Sequence, residues 1–161
     1  GTFDHAMTKL NNSGLRNCLE NLVLKQKIPV IGICVGMQMM AYKSEEGVLD
    51  GLGWVKGEVK SLSNTEKKSN NNLPLPHMGW NSIKIKKRST LFNNLDEYKN
   101  LYFLHSFYFQ CQNSENVIAT TSYGHDFPSI IKNNNIYGVQ CHPEKSHHNG
   151  IQVLKNFAEL D

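Results

Sequence analysis

The sequence predicts an α/β fold in which a twisted, mixed and mostly parallel central sheet is flanked by helices. Helical patterns occupy both ends of the chain, and short apolar or aromatic segments separated by glycine and asparagine turns fill the middle. In addition, an apolar run at 29–33 passes directly into a helical pattern. Ligands of such sheets bind outside the carboxyl ends of the strands, so a site is expected at that edge.

Helices are predicted where apolar residues recur at a spacing of three and four. Three segments in the first third of the chain meet this criterion, at 2–12, 14–26 and 36–43. The second is expected to bury the stripe formed by Leu15, Cys18, Leu19 and Leu22. Ser146 is expected to cap a final helix whose packing face consists of Ile151, Leu154 and Ala158.

Strands are predicted for β-branched and aromatic runs bounded by turn residues. They fall at 29–33, 53–62, 82–85, 101–108, 117–122, 129–132 and 136–141. Residues 63–72 form a polar loop, rich in asparagine and lysine, that has the character of an insertion. The 161 residues therefore fit a single domain over 1–161.

Charge and composition argue against several classes of protein. The chain has 17 basic and 14 acidic residues for a net charge of +3, and its basic residues are scattered, so no nucleic-acid partner is expected. No apolar run approaches the roughly 18 residues of a membrane span and no basic-then-apolar leader opens the chain, which predicts a cytoplasmic protein without a membrane partner. The four cysteines lack Cys-x-x-Cys spacing, so neither a zinc knuckle nor a disulfide scaffold is expected. No metal and no cofactor are expected either.

The most informative segment is Gly32-Ile33-Cys34-Val35-Gly36, at the junction of the apolar strand and a helix. A Gly-x-Cys-x-Gly turn is the thiol counterpart of the nucleophile elbow, in which flanking glycines permit a sharp bend that exposes the central side chain. Unpaired N–H groups at the start of the helix favour thiolate over thiol. Cys34 is therefore a candidate nucleophile, and the N–H of Val35 is a candidate donor to an oxyanion.

A second motif, His142-Pro143-Glu144, follows the last predicted strand. A nucleophilic thiol needs a base that removes its proton and later returns one to the leaving group, and His142 could perform both steps. Glu144 could accept the other imidazole N–H and so orient the ring. The two motifs together predict a Cys-His-Glu triad acting on an amide or ester carbonyl. Of the remaining histidines, His77 and His105 have no clear assignment.

The segments 32–38 and 138–146 resemble the corresponding motifs of the class I, or triad, glutamine amidotransferases. Within that family, Pro76-His77-Met78-Gly79-Trp80-Asn81 and 103–108 resemble HisH, the glutaminase subunit of imidazole glycerol phosphate synthase. The resemblance covers essentially the whole chain and implies a flavodoxin-like α/β fold. It also implies hydrolysis of L-glutamine, with the ammonia passing to a (β/α)8-barrel cyclase of the HisF type in histidine biosynthesis.

The resemblance assigns roles to individual positions. It implies that Cys34 forms a γ-glutamyl thioester, with His142 as acid and base and Glu144 as its orienter. It also implies that substrate is held by Gly36, Gln38, Glu46, Ser106 and Phe107. A carboxylate at Glu46 suits an α-amino group. Met78 and Trp80 match the segment that faces the cyclase partner.

One departure from the family pattern concerns the start of the chain. The run Gly1-Thr2-Phe3-Asp4 resembles the end of the family's Pro-Gly-x-Gly loop, so the domain is expected to be truncated at its N-terminus and its sheet to lack the N-terminal strands. In the family that loop supplies the second oxyanion donor, which leaves Gly1 to represent it.

Other functions stay open at this point. A HisH-like paralogue could supply ammonia for an amidino sugar in surface polysaccharide biosynthesis. A Cys-His hydrolase could act on peptides or γ-glutamyl conjugates. A catalytically inactive binding protein of the same family could serve only to steady its partner.

Overall fold

The computed structural model describes residues 2–63 and 73–160, and the predicted polar loop at 63–72 lies almost wholly outside them. Its helices are α1 Phe3–Asn12, α2 Arg16–Glu20, α3 Val35–Gln38 and α4 His147–Ala158. Helix α2 continues as a π-helical turn over Asn21–Lys25. Short 3-10 turns occupy Thr90–Phe92, Ser114–Asn116 and Pro143–Lys145.

Ten strands are described, and they form three sheets. In chain order they are β1 Val30–Ile33, β2 Lys43–Ser44, β3 Gly57–Ser61, β4 His77–Ser82, β5 Lys84–Ile85, β6 Asn100–His105, β7 Phe107–Cys111, β8 Val117–Tyr123, β9 His125–Asn133 and β10 Ile136–Val139. The five-stranded sheet has the order β1-β10-β9-β8-β5, in which β1 and β10 are parallel and the other pairs antiparallel. The smaller sheets are β2-β3-β7 and β4-β6. The predicted mixed sheet with flanking helices is confirmed, but the expectation that it is mostly parallel is wrong, because the hairpin connections among β8, β9 and β10 pair those strands antiparallel.

The parallel pairing of β1 with β10 positions the site. Gly32 lies opposite Gly138 and Ile33 opposite Val139, so the segments that follow the two strands leave the sheet side by side. Cys34 follows one strand and His142 follows the other. The edge where a ligand was expected is therefore the edge that carries both motifs.

Two apolar clusters cover the opposite faces of the five-stranded sheet. Ile130 and Ile131 are neighbours on β9 and belong to different clusters, because successive strand residues point to opposite faces. One cluster is centred on aromatic side chains of β6 and β9 and receives α4. The other contains Phe3 of α1 and Met37 of α3, so these helices pack on the opposite face.

The helix predicted at 36–43 and the strand predicted at 101–108 differ from the structure. The helix predicted at 36–43 ends at Gln38, because Lys43 and Ser44 pair with β3 and the carbonyls of Met39 and Ala41 accept hydrogen bonds from a later loop. The strand predicted at 101–108 is broken at Ser106 into β6 and β7. Strand β4 has no counterpart among the predicted strands.

The stripe predicted on α2 is wrong in part. Leu15 is 57% exposed and Cys18 is also exposed, whereas Leu19 and Leu22 are half-buried. The buried residue is Val23, in the π-helical turn. A π turn returns its hydrogen bond after five residues instead of four, so the spacing at which side chains share a face changes there.

The packing face predicted for the last helix is also wrong in part. Ile151 is 68% exposed and Ala158 is exposed, whereas Leu154 is half-buried. The buried residues of the helix are Asn149, Gly150, Val153 and Asn156. The two asparagines form hydrogen bonds with backbone groups of the segment that precedes β6, so polar side chains occupy much of the buried stripe. Apolar periodicity therefore indicates the wrong face.

Ser146 lies at the N-cap position of α4 but makes no capping hydrogen bond. Its hydroxyl instead donates to the carbonyl of His142 at 2.6 Å and accepts from the N–H of Tyr102 at 2.8 Å. The side chain therefore fixes the His142 segment against β6.

Among the described residues, no helix combines the length and apolar character needed to cross a membrane.

The contact between β1 and α3 can be tested with two glycines that differ in their surroundings. A Cβ at Gly32 would lie 2.5 Å from the carbonyl oxygen of Gly36, whereas a Cβ at Gly36 would have no atom within 4 Å. We expect Gly32→Ala to lower the free energy of unfolding by at least about 2 kcal/mol, because backbone must move. Gly36→Ala should fold with unchanged or slightly higher stability. Urea unfolding of both variants measures the difference, and equal stabilities would contradict the close approach.

Candidate active site

Cys34 lies at a sharp bend between β1 and α3. Its backbone has φ 51° and ψ −110°, a conformation that L residues rarely adopt and that costs about 1–3 kcal/mol. The bend is held from both sides, since the N–H of Cys34 donates to the carbonyl of Val139 at 2.8 Å and its carbonyl accepts from the N–H of Gln38 at 3.1 Å. This geometry directs the thiol away from the sheet, as the Gly-x-Cys-x-Gly pattern predicts.

His142 and Glu144 follow β10 and face the same region. The Nδ1 atom of His142 lies 2.7 Å from Oε1 of Glu144, and the N–H of His142 donates to the carbonyl of Tyr102 at 2.8 Å. Because a carboxylate only accepts, Nδ1 carries a proton and donates it to Glu144. The remaining ring nitrogen, Nε2, is then the one available to the thiol.

The pKa values of His142 and Glu144 are both shifted from their usual values. The hydrogen bond with the Cys34 thiol raises the pKa of His142 above its usual value, partial burial opposes this, and the hydrogen bond to Glu144 adds to it. Partial burial by itself would raise the pKa of Glu144, but the hydrogen bond and the charge of His142 lower it below the usual value. Glu144 thus stabilises the positive charge that the ring acquires when it takes up a proton.

A cavity of about 460 Å³ opens at this point. Its volume is in the range typical of small-molecule sites. Among its lining residues are eight of the predicted site residues, namely Cys34, Val35, Gln38, Glu46, Ser106, Phe107, His142 and Glu144. Ile33, Leu104 and His105 line it as well.

The other predicted site residues lie elsewhere. Gly36 belongs to α3 but does not line the cavity, and Gly1 lies outside the described residues. Met78 and Trp80 lie on β4, with exposed fractions of 61% and 50%. The structure therefore separates this exposed apolar pair from the cavity.

Two buried amides support the nucleophile. Gln38 Nε2 donates to the carbonyl of Phe107 at 2.9 Å and to Oε1 of Gln140 at 3.1 Å. Gln140 Nε2 in turn lies 3.6 Å from the Cys34 sulfur, to which it donates. The thiol itself lies 3.8 Å from the carbonyl of Leu104. Gln140 belongs to the second family motif, but the sequence alone assigns it no role.

Glu46 reaches the cavity from the loop that follows β2. Its Oε2 accepts a hydrogen bond from the N–H of Phe3 at 2.9 Å, at the start of α1. The neighbouring Asp4 accepts from the N–H groups of Val48 and Leu49. The segment that carries Glu46 is thus fastened to α1, which fixes the position of its carboxylate.

Comparison with known proteins identifies the family. Residues 10–160 match the family described as glutamine amidotransferase class-I. The chain belongs to the class I glutamine amidotransferases. It is 52% identical over 160 residues to the imidazole glycerol phosphate synthase subunit HisH of Bdellovibrio bacteriovorus, covering 99% of this chain and 78% of that protein. The corresponding HisH protein of Leptospira interrogans is 47% identical with the same coverage.

Solved structures of remote sequence share the fold of this amidotransferase. A putative GMP synthase protein from Thermoplasma acidophilum matches with a TM-score of 0.62 at 18% identity, covering 96% of this chain and 65% of that one. A glutamine amidotransferase from Thermotoga maritima matches with a TM-score of 0.55 at 17% identity, covering 88% of this chain and 51% of that one. The chain thus spans less than two thirds of either structure.

The amidotransferase also contains a buried histidine pair beside the cavity. His77 Nδ1 lies 3.0 Å from His105 Nε2, and the two side chains are 3% and 5% exposed. Burial lowers the pKa of His77 to about 4 and that of His105 to about 3, so both rings are neutral near pH 7. His105 lines the cavity, and the signal that could have placed it is the spacing of two residues between His105 and the predicted Phe107.

Among the described residues, no group of three or more histidine, cysteine, aspartate or glutamate side chains could hold a metal ion.

The charge of Glu144 can be tested through the titration of His142. We expect Glu144→Gln to lower the pKa of His142, because the variant keeps a hydrogen-bond acceptor but loses the negative charge that favours imidazolium. The ring carbon resonances of labelled histidine, followed by NMR against pH, measure the shift. Glu20→Gln is the control: it removes a carboxylate that pairs with Arg16, so the pKa of His142 should stay unchanged. A pKa of His142 that is equal or higher in Glu144→Gln would contradict the role assigned to Glu144.

The histidine pair predicts a loss of stability in acid. Because the pKa of each histidine is lower in the folded state than the usual 6.5, unfolding takes up protons below that pH. The contribution of His77 is fully present above pH 6.5 and is lost as the pH falls toward about 4. The loss is about 1.4 kcal/mol per pH unit for each ring.

Urea unfolding between pH 7.5 and 5 measures this slope. His77→Gln should reduce the slope of the free energy of unfolding against pH. The control His5→Gln, at an exposed position, should keep the slope of the unmodified chain. Equal slopes in all three proteins would show that the buried pair is not the source.

Proposed function

We propose that the chain is the glutaminase subunit of an imidazole glycerol phosphate synthase. It would hydrolyse L-glutamine to glutamate and ammonia through a thioester on Cys34. The observation that supports this most directly is the convergence of Cys34, His142 and Glu144 on one cavity, with the thiol on a strained elbow. The names of the similar HisH proteins supply the substrate and the assembly.

The first half of the reaction forms the thioester. The Cys34 sulfur attacks the side-chain carboxamide carbon of glutamine while its proton passes to Nε2 of His142. Glu144 keeps the ring in the required tautomer and stabilises its positive charge through the 2.7 Å hydrogen bond. When the carbon–nitrogen bond breaks, His142 returns the proton to the departing nitrogen, which leaves as ammonia.

The negative charge that develops on the carboxamide oxygen requires donors. The N–H of Val35 is suited to this, because Val35 is the first residue of α3 and the first N–H groups of a helix have no acceptor within it. Gly1, the predicted source of a second donor, stays a prediction.

The second half of the reaction releases glutamate. A water molecule enters the position that ammonia leaves, His142 removes its proton, and the oxygen attacks the thioester carbonyl. The carbon–sulfur bond then breaks, and the thiolate recovers its proton from His142. No cofactor takes part in either half.

Substrate is held by the wall of the cavity. The carboxylate of Glu46 suits the α-amino group of glutamine, since opposite charges attract strongly in a partly enclosed site. Backbone groups of Ser106 and Phe107 border the same space from the break between β6 and β7. The amide hydrogens of Gln38 are already used by protein acceptors, so its oxygen is the atom left for a ligand.

The proposed partner is a (β/α)8-barrel cyclase that uses the ammonia in histidine biosynthesis, in the cytoplasm. Met78 and Trp80 are the proposed contacts, because exposed large apolar side chains on one strand favour burial by another protein. Ammonia is largely protonated in neutral water, and ammonium is not a nucleophile. Closure against a partner therefore protects the reactive form.

Glutaminase assays of the chain, with and without a co-expressed barrel cyclase, test this proposal. Cys34→Ala should lower turnover by at least about 1,000-fold, because removal of the nucleophile leaves only binding and the oxyanion donors. Cys18→Ala is the matched control, since Cys18 is exposed and lies outside the cavity, and it should keep full turnover.

Labelling provides an independent readout for the same residue. A chloroketone or diazoketone analogue of glutamine should modify Cys34 and none of the other three cysteines. Turnover that survives Cys34→Ala, or modification at another cysteine, would overturn the thioester mechanism.

A further inference from the structure

A continuous chain of buried and partly buried hydrogen bonds connects strand β4 to the Cys34 sulfur. From β4, Asn81 Nδ2 lies 3.3 Å from His77 Nε2, and His77 Nδ1 lies 3.0 Å from His105 Nε2. His105 Nδ1 lies 2.8 Å from the carbonyl oxygen of Phe107. From that oxygen, the two glutamine amides described above lead to the sulfur.

Chemistry fixes the direction of every proton in the histidine part of the chain. The carbonyl of Phe107 only accepts, so Nδ1 of His105 carries the proton. In a neutral ring Nε2 is then an acceptor, and Nδ1 of His77 must donate to it. His77 Nε2 accepts in turn from the amide of Asn81, whose nitrogen also donates to the carbonyl of Ser122 at 3.0 Å. Both rings are therefore Nδ1–H tautomers.

The carbonyl of Phe107 joins the two halves of the chain. It accepts from His105 Nδ1 and from Gln38 Nε2, which uses both lone pairs. The second hydrogen of the Gln38 amide goes to Oε1 of Gln140, so Gln140 must present its NH₂ group to the sulfur. If the Gln140 amide turned over, an oxygen would face the sulfur and would oppose the thiolate form.

Packing holds the rings in place. His77 stacks on Tyr123 at 4.1 Å between ring centres and on Phe103 at 5.0 Å. Phe127 contacts His105 edge-on at 5.0 Å. Rotation of either ring would place carbon atoms where the nitrogens now lie and leave donors and acceptors unpaired, which is costly for groups shielded from solvent.

We propose that His105 and His77 are positioning residues that fix the carbonyl of Phe107 and, through the Gln38 amide that donates to it, hold the Gln140 amide in the orientation that donates to the Cys34 sulfur. The chain of hydrogen bonds begins on the strand that also carries the exposed Met78 and Trp80. This inference rests on the proposed function only in taking Cys34 as the reacting thiol.

Alkylation of Cys34 by iodoacetamide tests the proposal without glutamine or a partner. Peptide mass spectrometry follows Cys34 in the full chain, with the exposed Cys18 as an internal reference for the reagent. We expect His105→Leu to slow alkylation of Cys34 at pH 7 by about tenfold, the effect of one hydrogen bond to a charged atom. The rate at Cys18 should stay constant.

Two variants separate positioning from a merely structural role. His105→Asn places an amide N–H near the position of Nδ1, so it keeps the donor to Phe107 and should restore most of the Cys34 rate. Phe103→Leu removes packing from His77 but no member of the hydrogen-bond chain, so it should lower thermal stability and keep the Cys34 rate. Apart from His105 itself, the ionisable side chains that line the cavity beside the sulfur, His142, Glu144 and Glu46, are unchanged in all three variants.

Two results would overturn the proposal. One is an unchanged rate of Cys34 alkylation in a folded His105→Leu chain. The other is a rate in His105→Asn as slow as that in His105→Leu.

Should the Leu variant not fold, ¹⁵N NMR of the histidine tautomers in the unmodified chain decides the question. Nδ1–H tautomers in both rings support the chain of hydrogen bonds, and an Nε2–H tautomer in either excludes it. Loss of glutaminase activity in Cys34→Ala is a separate result, so the two proposals fail independently.

Discussion

The close contact of β1 with α3 at Gly32 is the constraint on which the site depends. With a Cβ there, the helix could not begin so soon after the strand, and the bend at Cys34 would open. That bend is strained, and it persists because neighbouring backbone fixes it through Val139 and Gln38. The parallel pairing of β1 with β10 then brings His142 to the same edge. A small residue at one position thus determines where three reacting groups meet.

Burial of polar side chains around that bend gives the site its precision. Gln38, Gln140, His77 and His105 are each at most 5% exposed, and each has protein partners. In a buried region such groups tolerate few alternative orientations, since an unsatisfied donor or acceptor costs about 1–3 kcal/mol. Burial of the two histidines also lowers the stability of the fold in acid, because each ring gains a proton on unfolding. Positioning and acid sensitivity therefore have one origin.

Several parts of the molecule could be predicted from local sequence. The bounds of α1 and β1 agree with the helical and apolar patterns to within one residue. Helix α1 buries Phe3 and Met7 on one face, and all four residues of β1 pair with β10. The predicted packing faces were wrong where the residues expected to be buried are exposed, or where polar residues are buried instead. On α4 the buried stripe contains Asn149 and Asn156, which satisfy carbonyls and N–H groups of a distant segment. The helix predicted at 36–43 ends at Gln38, because Lys43 and Ser44 pair with β3 instead.

The sequence by itself determined the chemistry of the chain: a thiol between two glycines after a strand, and an imidazole and a carboxylate separated by proline. These are local patterns, readable because the backbone geometry of a turn depends on residues within it. Only the tertiary structure decided which residues surround the thiol, including Gln140 and the pair formed by His77 and His105. Those contacts join residues that are 28 to 106 positions apart in the sequence. Hydrogen bonds between such distant residues depend on sheet pairing and packing, which a local sequence pattern does not reveal.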